Sequence, residues 1–290
     1  MLGSDLDGEI CAEGGGSTGL AVRKPADPSA WWDRSWNPLS GCRAVSPGCQ
    51  NCYAAQIAGT KTFKWLHRGV TVQRGTKRIF NGTTRVGPPW HKVWSGPLQK
   101  PSVKRPKLGP GQPNLVFVGD MSDLFHKGHP TSAIDRVVAT IAFSDHIGLL
   151  LTKRTARMAA YFAAQSPSTV LRWQPKLWLG FSAERQKEFD ERWADMRPLA
   201  DAGWLIFVSI APLIEPVLLP PDFLTLGDRA WVIVAGEQGP HADCRDLDPN
   251  WARQVRDQCA AAHIPFFMKQ MAKGEPIPPD LFFREFPSSQ

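Results

Sequence analysis

Between Asp33 and Asp120 the chain contains no aspartate or glutamate. Fourteen basic residues fall inside that gap: Arg34, Arg43, Lys61, Lys64, Arg68, Arg74, Lys77, Arg78, Arg85, Lys92, Lys100, Lys104, Arg105 and Lys107. The whole chain carries +7, so the remainder is net negative. A stretch without acids cannot neutralise itself internally. Long apolar runs are also missing: no window approaches the ~18 uncharged apolar residues of a membrane span. Residues 1–28 lack the basic start and apolar core of a signal peptide. A disordered tail over residues 1–30, no membrane partner and a cytoplasmic location are expected, the host's cytoplasm if the chain is phage-encoded. Six cysteines in 290 residues do not make a disulfide scaffold in so large and core-rich a chain.

Aromatic rings interleave with the basic residues: Phe63, Trp65, Phe80, Trp90 and Trp94. A basic surface with stacking rings suits a polyanion carrying flat bases, so DNA or a nucleotide is the expected partner. The plainer alternative is a solvated basic insertion without a ligand. Residues 60–113, rich in Gly, Pro, Lys and Trp, read as an irregular basic insertion within the domain.

From residue 114 onward, short apolar runs alternate with helical segments. The runs are 115–118, 147–151, 177–181, 204–208, 231–235 and 264–268. Continuous apolar runs rich in branched residues suit strands buried on both faces. Helical spacing covers 134–143, 155–165, 184–197 and 251–262. Alternating β and α predicts a parallel sheet or barrel. Polar residues follow the runs: Asp120, Ser122 and Asp123, then Lys153 and Arg154, then Ser182 and Glu184, then Ser209, then Glu237. In a parallel barrel these strand ends open on one face, where active sites are built. Helix capping is the competing explanation for the serines and acids. It does not cover Lys153, Arg154 and Glu237.

Three cysteines, Cys42, Cys49 and Cys52, share one short loop with C-x6-C-x2-C spacing. Structural zinc usually takes four ligands, often from two paired knuckles. Here there is one pair and an outlier, with Cys244 or His67 as candidates for a fourth ligand. Three thiolates fit a cubane iron–sulfur cluster with one open iron better. Pro47-Gly48 lets the loop turn tightly, and its amides can donate to sulfur.

These residues carry a resemblance. Trp36-Asn37-Pro38-Leu39-Ser40-Gly41-Cys42 with Ser46-Pro47-Gly48-Cys49-Gln50-Asn51-Cys52-Tyr53-Ala54 resembles the signature of the phage-associated three-Cys-motif family. That family is distantly related to radical S-adenosylmethionine (SAM) enzymes and is similar to spore photoproduct lyase. The likeness extends through Asp120–His126, Leu151–Arg154, Trp178–Glu184, Trp231–Glu237 and Pro265–Gln270, and covers residues 31–273. It departs at Ala211, where the family usually has Glu, and at Gln238, where it usually has Ser. The resemblance implies an α/β fold, a partial (β/α)6 TIM-like barrel of the radical SAM type over residues 31–273, with 274–290 as a C-terminal extension. It implies a [4Fe-4S] cluster on Cys42, Cys49 and Cys52 and S-adenosyl-L-methionine on the open iron. It also implies one-electron cleavage to a 5′-deoxyadenosyl radical, with flavodoxin or ferredoxin as donor.

Roles follow for the other residues. Asp120, Ser122 and Asp123 would hold the methionyl ammonium. Arg154 would hold the cofactor carboxylate or a phosphate, and Lys153 shares that choice or acts in catalysis. Ser182 and Glu184 are cofactor candidates, and Glu237 and His126 are catalytic ones. Lys61, Lys64, Arg68, Arg74, Lys77, Arg78, Lys269 and Gln270 are candidates for substrate or nucleic acid. The sharpest expectation is an isomerase that rearranges a glycyl adduct on thymine during phage DNA hypermodification. A radical DNA-lesion lyase and a non-catalytic zinc or iron–sulfur nucleic-acid module are the rivals.

Overall fold

A computed structural model describes residues 30–58, 64–101, 103, 106–238 and 244–288. The expected tail therefore lies outside the described residues. In chain order the strands are β1 (Arg34–Trp36), β2 (Leu39–Ser40), β3 (Thr71–Arg74), β4 (Lys77–Phe80), β5 (Arg85–Val86), β6 (Leu115–Val118), β7 (Ile147–Thr152), β8 (Leu177–Ala183), β9 (Ile206–Ile210), β10 (Ala230–Ala235) and β11 (Phe266–Gln270). The α-helices are α1 (Tyr53–Ala58), α2 (Lys64–His67), α3 (Gly96–Gln99), α4 (Thr131–Ala142), α5 (Thr155–Ala163), α6 (Pro167–Trp173), α7 (Gln186–Asp201), α8 (Pro221–Leu224) and α9 (Pro249–Ala261).

Seven strands make one parallel sheet in the order β1-β6-β7-β8-β9-β10-β11. The sheet must curl. Phe117 on β6 and Trp231 on β10 are four strands apart, roughly 19 Å on a flat sheet. Yet Trp31 lies 4.8 Å from the Phe117 ring and 5.8 Å from the Trp231 ring. The result is a partial TIM-like barrel, open between β1 and β11. It has seven strands where the resemblance implied six, because β11 extends the sheet beyond β10.

Alternation along the strands builds two cores. Val116, Val118, Leu150, Leu179, Phe181, Ile206, Val208, Val232 and Val234 face outward and pack against the helices. Leu115, Phe117, Leu149, Trp178, Phe207, Trp231, Ile233 and Phe267 face inward and fill the lumen with Trp31. Both faces are buried, which is why these strands read as unbroken apolar runs. Gly180 is required here: a Cβ would overlap the Phe207 ring. Residues 283–286 cover the edge of β11. Met268 donates to the Phe283 carbonyl at 3.0 Å, and Phe286 packs on Trp231 and Phe267 at 5.3 and 5.4 Å.

Several boundaries moved. The strand expected at 204–208 is β9, because pairing with β8 and β10 begins at Ile206. The strand expected at 264–268 is β11, since Pro265 has no N–H for the ladder. Helix α7 starts at Gln186, so Glu184 sits in the turn before it. The basic stretch is less irregular than expected. It holds the antiparallel hairpin β3–β4 and the pair β2–β5. Asp33 pins its end, accepting from the Lys107 and Leu115 amides at 3.0 and 2.8 Å.

Candidate active site at the cysteine loop

The strand ends open into one cleft. Trp31, Trp32, Phe117 and Leu151 form an apolar floor, and Cys42, Cys49 and Cys52 line the wall above it. Lys269, at the end of β11, lies 5.9 Å from the Trp32 ring and 5.8 Å from the Tyr53 ring.

Carboxylates from the strand ends hold the cysteine loop. Glu184 is fully buried. Its Oε1 accepts from the Ser46 hydroxyl at 2.7 Å and pairs with Lys153, and its Oε2 pairs with Arg192 at 3.1 Å. Gly48 lies against this side chain so closely that any Cβ would collide with it. Glu237 accepts from Asn51 at 3.0 Å and binds Arg245 through both oxygens. Arg245 reaches on to the Pro47 carbonyl at 3.1 Å. Asp123 accepts from Thr152 at 2.7 Å, from the Lys153 amide at 3.2 Å and from Arg154 at 2.6 Å. Buried ion pairs survive only with such additional hydrogen bonds.

Asp120 differs. It accepts from the Ser35 hydroxyl at 2.7 Å and from the Asn37 amide. It lines the cleft, and no cation pairs with it among the described residues. Burial pushes its carboxyl above the usual range, against those two hydrogen bonds. Nearby, the Ser122 hydroxyl is buried without a hydrogen-bond partner, which is uncommon in a folded protein.

The three thiols have unequal surroundings. Burial pushes Cys42 up to about 12, reinforced by Asp123 and opposed by Arg154. Burial also raises Cys52. Cys49 is buried too, yet the Lys153 ammonium and hydrogen bonds from the loop hold it below the ordinary thiol value. Among the described residues no group of three His, Cys, Asp or Glu side chains is arranged for a single metal ion. Three thiols lining one cleft beside an unpartnered hydroxyl form a donor set that fits a multi-atom iron–sulfur cluster.

The expected site residues separate accordingly. Cys42, Cys49, Cys52, Asp120, Ser122, Asp123, Lys153, Arg154, Ser182, Glu237, Lys269 and Gln270 all line the cleft. Capping does not explain them: Pro130, Arg154 and Arg185 occupy the N-cap positions of α4, α5 and α7 without a side-chain cap bond. Glu184 and Glu237, read as ligand or catalytic groups, are engaged with the loop and its cations. Asp123 is likewise engaged by Arg154. His126 is not on the cleft; its ring is buried, Nδ1 accepts from the Gly128 amide at 3.1 Å, and it faces His129. Among the basic candidates, Arg68 and Arg74 are exposed, while Lys77 donates to Asn51 at 2.6 Å and Arg78 to Thr71 at 3.2 Å. Lys61 and the Lys64 side chain lie outside the described residues, as do Phe63 and the Trp65 ring. Phe80 and Trp94 are core residues, whereas Trp90 is 86% exposed. The candidate fourth ligands stay away from the cleft lining: His67 bonds Ser40, and Cys244 is buried elsewhere.

Arg192, Arg245, Ser46 and the Trp31–Trp32 floor were not expected. Ser46 lay in view inside the cysteine loop. Arg192 and Arg245 carry no local signal, because their carboxylates are brought to them by the fold.

No curated protein matches the chain. Among solved structures, a spore photoproduct lyase double mutant with bound AdoMet and dinucleoside spore photoproduct is 13% identical, with a TM-score of 0.45, covering 81% of this chain and 75% of that one. A single mutant of the same lyase is 12% identical, with a TM-score of 0.47, covering 85% and 79%. The family described as "Protein of unknown function (DUF5131)" matches residues 28–278, and the chain belongs to that family.

Proposed function

We propose that the protein is an iron–sulfur radical SAM enzyme acting on nucleic acid or a nucleotide-linked group. The observation that carries this reading is one cleft lined by three cysteines and by Asp120, a carboxylate with no cation partner among the described residues. Cys42, Cys49 and Cys52 would hold the cluster. Asp120 would take the cofactor's ammonium, a charge-assisted contact that relieves its burial. The Ser122 hydroxyl supplies one more polar contact beside it. When bound, the cluster and SAM together supply one-electron cleavage of the sulfonium, with the electron delivered by a donor such as flavodoxin or ferredoxin.

The chain's own residues do the rest. Trp31, Trp32 and Phe117 keep water from entering through the lumen. Lys269 between the Trp32 and Tyr53 rings offers a cation and flat faces to a base. Arg34, Arg43, Arg68, Arg74, Arg78 and Arg85 form no ion pair among the described residues. That leaves positive charge available to a phosphate backbone.

The test is SAM binding by equilibrium dialysis on reconstituted anaerobic protein, with Asp120→Asn as the variant. The expected outcome is about tenfold weaker binding, ~1.4 kcal/mol, at unchanged iron content. Unchanged affinity would refute the ammonium role. The finest form of the reading is rearrangement of a glycyl adduct on thymine in phage DNA. It predicts a nucleoside isomer of unchanged mass after incubation with modified DNA, SAM and reductant. Turnover on irradiated DNA would assign the lesion-lyase reaction, and zinc in place of iron would assign the binding module.

A further inference from the structure

We propose that Lys153 and Arg154 set the reduction potential of the cluster, each acting through a different cysteine; this rests on the cluster reading above. In a strand, consecutive side chains point to opposite faces. Strand β7 ends at Thr152, and Arg154 adopts φ −122° and ψ 60° outside helix and sheet. Both cations therefore turn into the same cleft.

They then diverge. Arg154 lies with Nη1 3.7 Å from Cys42 Sγ, while Nη2 donates to the Arg43 carbonyl at 2.9 Å. Lys153 donates to the Ser46 hydroxyl at 3.1 Å, and that oxygen is 3.8 Å from Cys49 Sγ. Arg154 thus contacts its sulfur directly, whereas the Ser46 proton goes to Glu184, so Lys153 acts on Cys49 through space across the Ser46 oxygen it anchors to. Cys52 has no such contact from either residue among the described hydrogen bonds.

The charges around the two are not equally balanced. Asp123 pairs with Arg154 one to one. Glu184 is shared by Lys153 and Arg192; Glu188, which also faces Arg192, is itself paired with Arg185, so the group keeps one positive charge in excess. Reducing the cluster adds negative charge. A nearby cation and donors to the ligand sulfurs stabilise the reduced form and raise the potential. Lys153 should therefore matter more than Arg154.

The experiment is an electron paramagnetic resonance redox titration of the reconstituted full chain. Variants are Lys153→Met, Lys153→Arg, Ser46→Ala and Arg154→Gln. Lys153→Met is expected to make reduction about tenfold less favourable, a midpoint lower by ~59 mV for a one-electron couple. Lys153→Arg should keep the wild-type value, and Ser46→Ala and Arg154→Gln should fall between. A Lys153→Met protein with an intact four-iron signal and the wild-type midpoint would overturn the proposal. If Lys153→Met does not retain its cluster, Arg154→Gln decides, and an unchanged midpoint there overturns it. Wild-type protein without any four-iron signal would instead overturn the cluster reading itself.

Discussion

The acid-free stretch and the regular half of the molecule treat charge in opposite ways. In the regular half, cations sit on carboxylates: Lys153 and Arg192 on Glu184, Arg154 on Asp123, Arg245 on Glu237. In the acid-free stretch, arginines bond neutral groups. Arg34 donates to the Pro101 carbonyl at 2.7 Å, Arg85 to the Arg68 carbonyl at 2.7 Å, and Arg78 to the Thr71 hydroxyl. The two halves meet at the cysteine loop, which belongs to the first and is fastened by buried carboxylates of the second. The segregation teaches that the missing acids are supplied across the fold where structure needs them. Elsewhere Arg43, Arg68, Arg74 and Arg85 form no ion pair among the described residues.

Breaking the fastening is expected to have the largest effect. Glu184→Ala removes the partner of two part-buried cations and should destabilise by about 3–5 kcal/mol, read as the shift of the urea midpoint. Trp31→Ala should cost about 3–5 kcal/mol by emptying the lumen; a loss under about 1 kcal/mol would mean that the lumen is not one packed core. The two variants differ in a second readout. Glu184→Ala should also lower iron retention on reconstitution, whereas Trp31→Ala should leave retention close to wild type in the protein that remains folded.

The regular half also contains a charge it must exclude. His129 is buried with neither ring nitrogen hydrogen-bonded. Burial, then the neighbouring His126, lowers its pKa to about 4. An unfolded histidine protonates near ~6.5. Between these values the unfolded chain binds more protons, so stability falls as pH drops from about 6.5 to about 4. The contribution is up to about 3 kcal/mol. His129→Leu should flatten that part of the stability profile, and an unchanged profile would show that another group governs it.

The smallest effect belongs to the acid-free stretch. Arg74 is exposed and has no ion pair among the described residues. If it meets a phosphate, Arg74→Gln should reduce the salt slope of duplex DNA binding by about 0.9 without changing stability. A slope that stays constant would place the DNA path away from the hairpin tip.

Much of this was legible because periodicity and spacing are local. The apolar runs located β6, β7, β8 and β10 nearly to the residue, and the three cysteines are neighbours in sequence. What escaped depends on contacts distant in the chain. Glu184 and Glu237 looked like ligand groups, since a strand-end carboxylate reads the same whether it meets a cofactor or an arginine. Only folding brings their partners Arg192 and Arg245 near. His126 seemed suited to proton transfer because histidine titrates near neutral pH, but the turn from Asp123 to His126 carries its ring away from the cleft. Asp120 emerged by contrast as a cleft carboxylate with no cation partner among the described residues.

The most direct test of the cluster assignment is electron paramagnetic resonance on anaerobically reconstituted, reduced protein, with and without SAM. The expected result is a reduced four-iron signal that changes when SAM is added and is absent from a Cys42→Ala, Cys49→Ala, Cys52→Ala triple variant. A four-iron signal indifferent to SAM would contradict the open iron beside Asp120. The absence of any iron signal in the wild-type protein would contradict the assignment of the three cysteines.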